Sequence, residues 1–373
     1  MGEYTRLLLT AMRGVDPSVD LLVLAEEGVG EGYFDDDAEA RVVPSFRARE
    51  PDSFKGILAA LQEYDGVDVL HVQHEYGIYG LGTGILDAAL EARRERLAGS
   101  VVFTLHTVYH PLQGEREVEF QEAVLSEADA VIVHSAVQEF ELHAQMGAYP
   151  SNLKRIPHGT SVNPYLSWSR LRLARSLGLG EGILGKFVVS LLGFLRPDKG
   201  LDTLLESLEI LGRGDRLAVI VGGEVRDERL AELVEEHSAH GLVFIPHYLS
   251  TDEILMLAAL SDAIVLPYRD PPGKYSVSGI LHLSMGSLKP IIGSNVPRLA
   301  ELYTLAPRLV FRAGDPWDLS SMLARLLDSE FYDLAVSYAG PLYSYAVRTS
   351  WPRMARRHLR LYRRLLKNRP GGR

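Results

Sequence analysis

The chain has 373 residues, 46 % of them hydrophobic and 24 % charged, with a formal net charge of −10 and no cysteine. That balance excludes global disorder, a disulfide scaffold, a thiolate metal or iron–sulfur site and a cysteine nucleophile. It also makes nucleic acid a poor partner for the chain as a whole, and the length suggests two domains.

In chain order, Gly2–Gly14 reads as an amphipathic helix with Tyr4, Leu7, Leu8 and Met12 on one side. A doubly wound domain normally opens with a strand feeding such a helix, so that strand is expected before Met1. Short apolar runs then predict strands at Asp20–Ala25, Val67–Val72, Val101–Leu105, Ala130–Val133 and Lys154–Pro157. Between them, helices are expected at Asp52–Glu63, Gly82–Ala98, Glu115–Ser126 and Ser135–Met146. After a polar linker at Thr160–Asn163 and a helix at Leu171–Leu177, strands recur at Lys186–Leu192, Leu217–Val221, Leu242–Ile245, Ala263–Leu266, Pro290–Ile292 and Leu309–Phe311. The helices of this half are expected at Leu201–Leu211, Glu228–His240, Thr251–Ala259, Gly279–Gly286 and Trp317–Leu326. Alternation over the whole length predicts an α/β protein of two doubly wound, parallel-sheet domains, residues 1–160 and 161–347.

Residues 348–373 differ in charge, with nine Arg, one Lys and no acidic residue. Trp351, Met354, His358, Leu361, Tyr362 and Leu365 recur at helical spacing, so a final helix packs this stripe on the body and turns its arginines outward. The sharper reading is contact with an anionic membrane surface. No apolar run approaches the roughly 20 residues that span a bilayer. Met1–Asp16 lacks a signal-peptide pattern, which predicts a cytoplasmic protein. The scarcity of Asn (four) and Gln (six) leans toward a heat-adapted source.

The strongest chemical signal is Gly193–Gly200, GFLRPDKG, between a buried strand and a helix. Gly193 lets the backbone turn, while Arg196 and Lys199 stand beside a helix start that already favours anions. Two cations so spaced can grip a diphosphate, Arg as a fork and Lys as a point charge. Gly222 and Gly223 after the next strand permit close approach of a ligand. Ser278 is a good N-cap, and Gly279 and Ile280 follow it at a helix start suited to phosphate oxygens. His71 and His74 with Glu75 form H-x-x-H-E on a predicted strand, where a spacing of three puts the rings on opposite faces and argues against a metal pair. No predicted strand leads into a G-x-G-x-x-G loop, which disfavours a dinucleotide-dependent oxidoreductase.

The order of these motifs resembles the GT-B glycosyltransferases, and within them the retaining, nucleotide-sugar-dependent family 4. Gly193–Gly200 resembles its diphosphate clamp, Pro246–Glu253 (with His247 and Tyr248) its segment after the base-contacting strand, and Ser278–Ile292 its donor helix and next strand; Leu299-Ala300-Glu301 matches the acidic end of that region. More loosely, Leu105-His106-Thr107, Val133-His134-Ser135 and Pro157-His158-Gly159 resemble its strand ends, and His71–Gly77 resembles a subset with a QHE-aromatic-Gly strand end, some of which act on mannose. Tyr275 and Leu283 stand where most of the family carries two glutamates, and the Ser278-Gly279-Ile280 start follows a subset without them.

The resemblance implies two Rossmann-like domains facing a cleft, with the final helix crossing back to the first. It implies transfer of a hexose from a nucleotide diphosphate sugar, GDP-mannose or UDP-glucose, to a sugar or lipid-linked acceptor, with no cofactor and no metal. Arg196 and Lys199 would stabilise the leaving diphosphate, and His106 would hydrogen-bond the hexose. Gly193, Gly222, Gly223, His247, Tyr248, Ser278, Gly279, Ile280 and Glu301 would hold the donor, and Gln73, His74, Glu75 and Tyr268 would line the acceptor or sugar pocket. The alternative is a degenerate GT-B chain that binds nucleotide or sugar, or a partner subunit, without turnover.

Overall fold

The computed structural model describes residues 2–147, 149–212, 216–237 and 242–368. The chain divides into two compact units: Met1–Gly159 with Pro272–Val277 and Trp351–Arg373, and Thr160–Pro271 with Ser278–Ser350.

In the first unit the helix Gly2–Val15 leads to the strand Leu22–Glu26. Two strands follow that the sequence did not announce. Ala40–Phe46 pairs parallel with Leu22–Glu26, and Tyr33–Asp35 pairs antiparallel with Ala40–Phe46 on its other side. Ala40–Phe46 carries Pro44 inside it, a residue that argues against a strand when the sequence is read alone. The second sheet runs Val67–His74, Ala98–Leu105, Ala130–Val133, Leu153–Arg155, each neighbour parallel.

The helix expected to reach Ala98 stops at Arg94, and Ala98 opens a strand instead. Arg96 takes a left-handed φ of 65°, which ends the helix. Gly66 has φ 79°, and a Cβ there would meet the Leu97 carbonyl oxygen at 2.7 Å, so only glycine lets the two turns pass. Phe46, Phe54, Val72, Phe103 and Phe120 share one core, fed by both sheets.

A short antiparallel pair, Thr107–Tyr109 with Lys274–Ser276, also belongs to this unit. It corrects the reading of Tyr275–Ile280 as one run into a helix: Tyr275 is a strand residue packed against the first unit's core, whereas Ser278 onward belongs to the second unit. The final helix, Trp351–Lys367, packs Trp351, Ala355 and Leu359 against Tyr4, Leu8 and Met12 of the first helix. Gly159 admits this contact, because a Cβ there would lie 2.2 Å from the Trp351 indole. Arg353, Arg356, Arg357, Arg360, Arg364 and Lys367 are exposed on the opposite face.

The second unit is built on a parallel sheet in the order Leu242–Ile245, Leu217–Gly222, Phe187–Leu192, Ala263–Leu266, Ile291–Ser294, Val310–Phe311. Phe187–Leu192 is flanked by the next strand in sequence on one side and by Ala263–Leu266 on the other. The strand order reverses there, and ligands of open α/β sheets gather outside the carboxyl ends of strands at such a point. Its central strands are almost wholly buried, as their unbroken Val/Ile/Leu runs imply.

The helix expected over Glu228–His240 is Glu228–Glu236, and Ser238–His240 lie outside the described residues. The helix after Ser278 ends at Ser284, short of Gly286, whose Cβ would lie 1.9 Å from the Ser161 carbonyl oxygen. The helix Ser329–Arg348, capped by Asp328, was not foreseen. It holds Pro341 and many Ser and Tyr, so local propensity conceals it. Among the described residues, no helix is long and apolar enough to cross a membrane.

Candidate functional site

Three glycine-bearing motifs of the second unit meet at the reversal of its sheet. Gly193 has φ 98°, and a Cβ there would come within 2.9 Å of Ile280, so the first and third motifs are in contact. Gly193 N–H donates to the Gly222 carbonyl (2.9 Å). Gly223 has φ 151°, and a Cβ there would meet the Gly193 carbonyl oxygen at 2.0 Å. The missing Cβ of Gly223 thus admits the backbone of the Gly193 loop. Gly200, at φ 70°, lies against the Pro267 carbonyl oxygen (1.8 Å to a Cβ) and so seats the loop on the end of Ala263–Leu266.

On this frame Arg196 donates from Nε and Nη2 to the two carboxylate oxygens of Asp198 (3.0 and 2.9 Å), with its side chain about half exposed (47 %). Lys199 is 9 % exposed, with its ammonium 3.9 Å from the centre of the Tyr268 ring. Burial pushes the Lys199 ammonium down from its usual value. Among the described residues it forms no ion pair with a carboxylate.

The central cation is one that sequence reasoning missed. Arg298 is buried, donates from Nη1 to Asp198 (2.7 Å), is ion-paired with Asp270, and lies 4.8 Å over the Tyr268 ring. Burial raises the Asp198 carboxyl, but Arg298 and then Arg196 outweigh it and bring the group down to about 2. Tyr268 is fully buried, its hydroxyl 3.3 Å from Ser278 Oγ, which also accepts the Leu281 N–H as helix cap. Tyr268 is thus packed among Lys199, Arg298 and Ser278. Gly279 is exposed at the helix start, with open space where a side chain would stand.

Other donor candidates are dispersed. His247 is bonded to Glu253 (3.0 Å), which closes a capping box with Ser250, so this histidine first serves a helix end. Tyr248 is half exposed and pairs with Phe194 at 5.7 Å. The Oε2 of Glu301 is buried without a hydrogen-bond partner.

In the first unit His106 follows a strand end, as expected, and is 9 % exposed. Its Nε2 is 3.0 Å from Gln73 Oε1, and its ring touches Tyr4 and His134 at 4.7 and 4.9 Å. Glu75 accepts a hydrogen bond from Thr107 (2.8 Å). His71 bonds Tyr362 and Thr104 at 2.6 and 2.8 Å, away from His74, in keeping with opposite faces. Among the described residues no three His, Cys, Asp or Glu side chains are grouped to hold a metal ion.

His74 needs correction as a pocket residue. It is 1 % exposed and stacked between Phe120 (4.2 Å) and Tyr79 (5.6 Å), with both ring nitrogens unbonded. Burial pushes it down to about 3 and His358 to about 4; burial, then neighbouring histidines, lower His71 and His106 well below the ordinary value. The fold thus holds these rings neutral, while the unfolded chain takes up protons below pH ~6.5. Stability is expected to be full above that value and to fall by up to ~1.4 kcal/mol per pH unit for each such ring as pH drops from ~6.5 toward 4. Urea unfolding of His74→Phe, which keeps the stack and removes the proton site, should show a shallower loss over that window.

Two family models match the chain. Residues 181–340 match glycosyl transferases group 1, and residues 1–163 match Glycosyltransferase Family 4. Among solved structures, a sucrose-phosphate synthase from Thermosynechococcus elongatus aligns at TM-score 0.72 and 17 % identity, covering 98 % of this chain and 93 % of that one. A glycosyltransferase from Rickettsia africae aligns at TM-score 0.75 and 15 % identity over 99 % and 96 %. HepE from Anabaena, in complex with UDP, aligns at TM-score 0.70 and 15 % identity over 96 % and 95 %. No curated protein matches the sequence significantly. The fold is GT-B. Each half of the chain matches a glycosyltransferase domain model, and between them the two models cover most of its length, so the chain is built from two glycosyltransferase domains.

Arg298 left no signal in spacing or pattern, since it lies 100 residues from Asp198. A single arginine after Val296-Pro297 reads as surface charge until the loops are folded together.

Proposed function

We propose that the chain is a retaining glycosyltransferase that moves a hexose, glucose or mannose, from a nucleotide diphosphate sugar to a sugar or lipid-linked acceptor. One observation carries the reading. Arg196, Lys199 and Arg298 are linked through Asp198, Asp270 and Tyr268, three cations against two carboxylates, at the reversal of the sheet. Neighbouring Arg269 is matched by Asp202 (2.8 Å), so an excess positive charge is left to face an anion.

In the transfer the bond from the anomeric carbon to the diphosphate oxygen breaks. The acceptor oxygen bonds to that carbon on the same face, and the departing phosphate oxygen takes the acceptor's proton. Negative charge grows on the diphosphate, where Lys199 and Arg196 neutralise it. Arg196 is free to leave Asp198, because Arg298 still neutralises that carboxylate. The exposed backbone at Gly279 and the unbonded oxygen of Glu301 serve phosphate and ribose hydroxyl groups respectively. His106, Gln73 and Glu75 remain the first unit's candidates for hexose and acceptor. No cofactor and no metal enters this mechanism.

HepE was solved with UDP and with UDP-glucose, which favours UDP-glucose as donor over the GDP-mannose suggested by the QHEYG segment. UDP-glucose at about a hundredfold excess over its Kd is expected to stabilise the fold by ~2.7 kcal/mol. GDP-mannose should do so less, and NMR of the product should show the donor's anomeric configuration. Thermal shift followed by product analysis decides, and no shift with any nucleotide sugar would sink the proposal.

A second reading, binding without turnover, is favoured by Tyr275 and Leu283. The one is built into a strand and the other is 7 % exposed in the core, so neither stands in for a donor-binding glutamate. A thermal shift with no transfer or hydrolysis would support it.

A lipid-linked acceptor fits a cytoplasmic protein held at the membrane by its final helix. The exposed cations there fall at spacings of three and four over Arg353–Lys367, one stripe with no acidic residue among them. At ~1 kcal/mol per basic residue near an anionic surface, the protein is expected to sediment with phosphatidylglycerol vesicles but not with pure phosphatidylcholine. Arg356→Glu with Arg360→Glu should abolish that binding.

A further inference from the structure

The helix Ser329–Arg348 of the second unit buries Ala335, Leu342 and Ala346 in that unit's core and turns its other side to solvent. A surface helix ordinarily carries charge on that side. Here the run Leu334–Val347 holds no charged residue, although charged residues make up 24 % of the chain. The exposed Glu330, Leu334, Ser337, Pro341, Ser344 and Arg348 follow one another at spacings of four and three, which lines them up as one seam along the helix. Leu334, Val336 and Val347 on this side are 41, 39 and 37 % exposed. The seam is therefore acidic where it starts, uncharged through its middle and basic where it ends.

That pattern is its own complement. Laid antiparallel on an identical helix, with a two-fold axis between Gly340 and Pro341, each exposed residue meets a suitable one. Asp333 faces Arg348 of the second copy, Leu334 faces its Val347 and Ser337 faces its Ser344. Two-fold symmetry makes each of these pairs twice, whereas a parallel pairing would set Asp333 against Asp333. Among the described residues neither Asp333 nor Arg348 forms an ion pair within its own chain; Arg348 Nε donates to the Ser344 carbonyl (3.3 Å). Pro341 has no N–H, so the Ser337 carbonyl lacks its usual helical donor, and the same register brings the Ser344 hydroxyl of the second copy beside it. The Ser337 hydroxyl already donates to the Leu334 carbonyl (2.6 Å) and loses no bond when covered.

We propose that this face docks a second copy of the chain, Ser329–Arg348 antiparallel against Ser329–Arg348, in a two-fold dimer. The seam is about 27 Å long at the rise of an α-helix. A contact of that size falls at the small end of specific interfaces, so the dimer forms reversibly and with rising concentration. The proposal concerns assembly of the second unit and stands apart from the transfer reaction read above.

Sedimentation of the full chain over roughly 1–500 μM is expected to show a monomer–dimer equilibrium. Asp333→Arg and Arg348→Asp, made separately, each set like charges opposite one another twice and should weaken the dimer about tenfold or more. Mixed in equal amounts, the two variants match charge at both ends, and the heterodimer should recover the lost affinity, which a folding defect would not allow. As a second readout, Pro341→Cys lies at the axis and should form a disulfide between copies in a chain that has no other cysteine. Ser329→Cys should form none, because antiparallel pairing sets its two copies roughly 35 Å apart, far beyond disulfide reach. A chain monomeric throughout the range overturns the proposal. So do single variants that associate as well as the unaltered chain, a mixture that stays monomeric, or a cross-link at Ser329→Cys in place of Pro341→Cys.

Discussion

Replacing Lys199 with methionine is expected to lower turnover of the nucleotide sugar roughly 10²–10³-fold, the loss typical of one preorganised group that stabilises developing charge. Methionine keeps the buried stem packed while removing the ammonium, so the fold should persist. Lys199 has the properties such a group needs. It is 9 % exposed, is held over Tyr268 and is not spent on a carboxylate among the described residues. Its depressed basicity, caused by burial, marks a charge poorly solvated by water and responsive to an arriving anion. Arg196→Ala should cost less, because that guanidinium is half exposed and must exchange Asp198 for the diphosphate. Steady-state transfer rates and the melting shift with UDP-glucose separate the two roles: a Lys199 variant that binds the donor but turns it over slowly supports the mechanism, and unimpaired turnover dismisses it.

The largest effect on stability is expected at Arg298. Substitution with methionine leaves Asp198 and Asp270 without their buried partner, and breaking such a pair typically costs ~3–5 kcal/mol. Asp270 has a side chain only 5 % exposed and takes both the Arg298 backbone N–H (3.1 Å) and its guanidinium. Urea unfolding should therefore show a markedly lower midpoint for Arg298→Met. Adding Asp270→Asn removes the stranded charge and should recover a good part of the loss, which a merely volumetric defect would not allow.

How much of this was legible beforehand depends on the range of the interaction. Ala130–Val133, Leu242–Ile245 and Ala263–Leu266 are continuous apolar runs, and their strand bounds could be read directly. Ser135 with Gln138 and Ser250 with Glu253 form capping boxes within four residues. Gly193–Gly200 lay legible between a buried run and an amphipathic one. By contrast, Tyr33–Asp35, Thr107–Tyr109 and Lys274–Ser276 are three residues each and owe their existence to partners elsewhere in the chain. The family resemblance put His74 in a pocket, but Phe120, 46 residues on, stacks over it.

The amino-acid sequence alone determined the alternation of strand and helix, the two parallel-sheet units and the place of the cationic loop. Those features follow from side-chain periodicity, backbone freedom at glycine and local capping, all of which act within a turn or a strand. Only the tertiary structure decided that Arg298 shares Asp198 with Arg196, that Tyr268 carries Lys199 on its ring, and that Tyr275 leaves the donor motif for a strand of the first unit. Each of these is a meeting of groups tens to a hundred residues apart, and hydrophobic pattern carries no record of which distant charge or edge will close a contact.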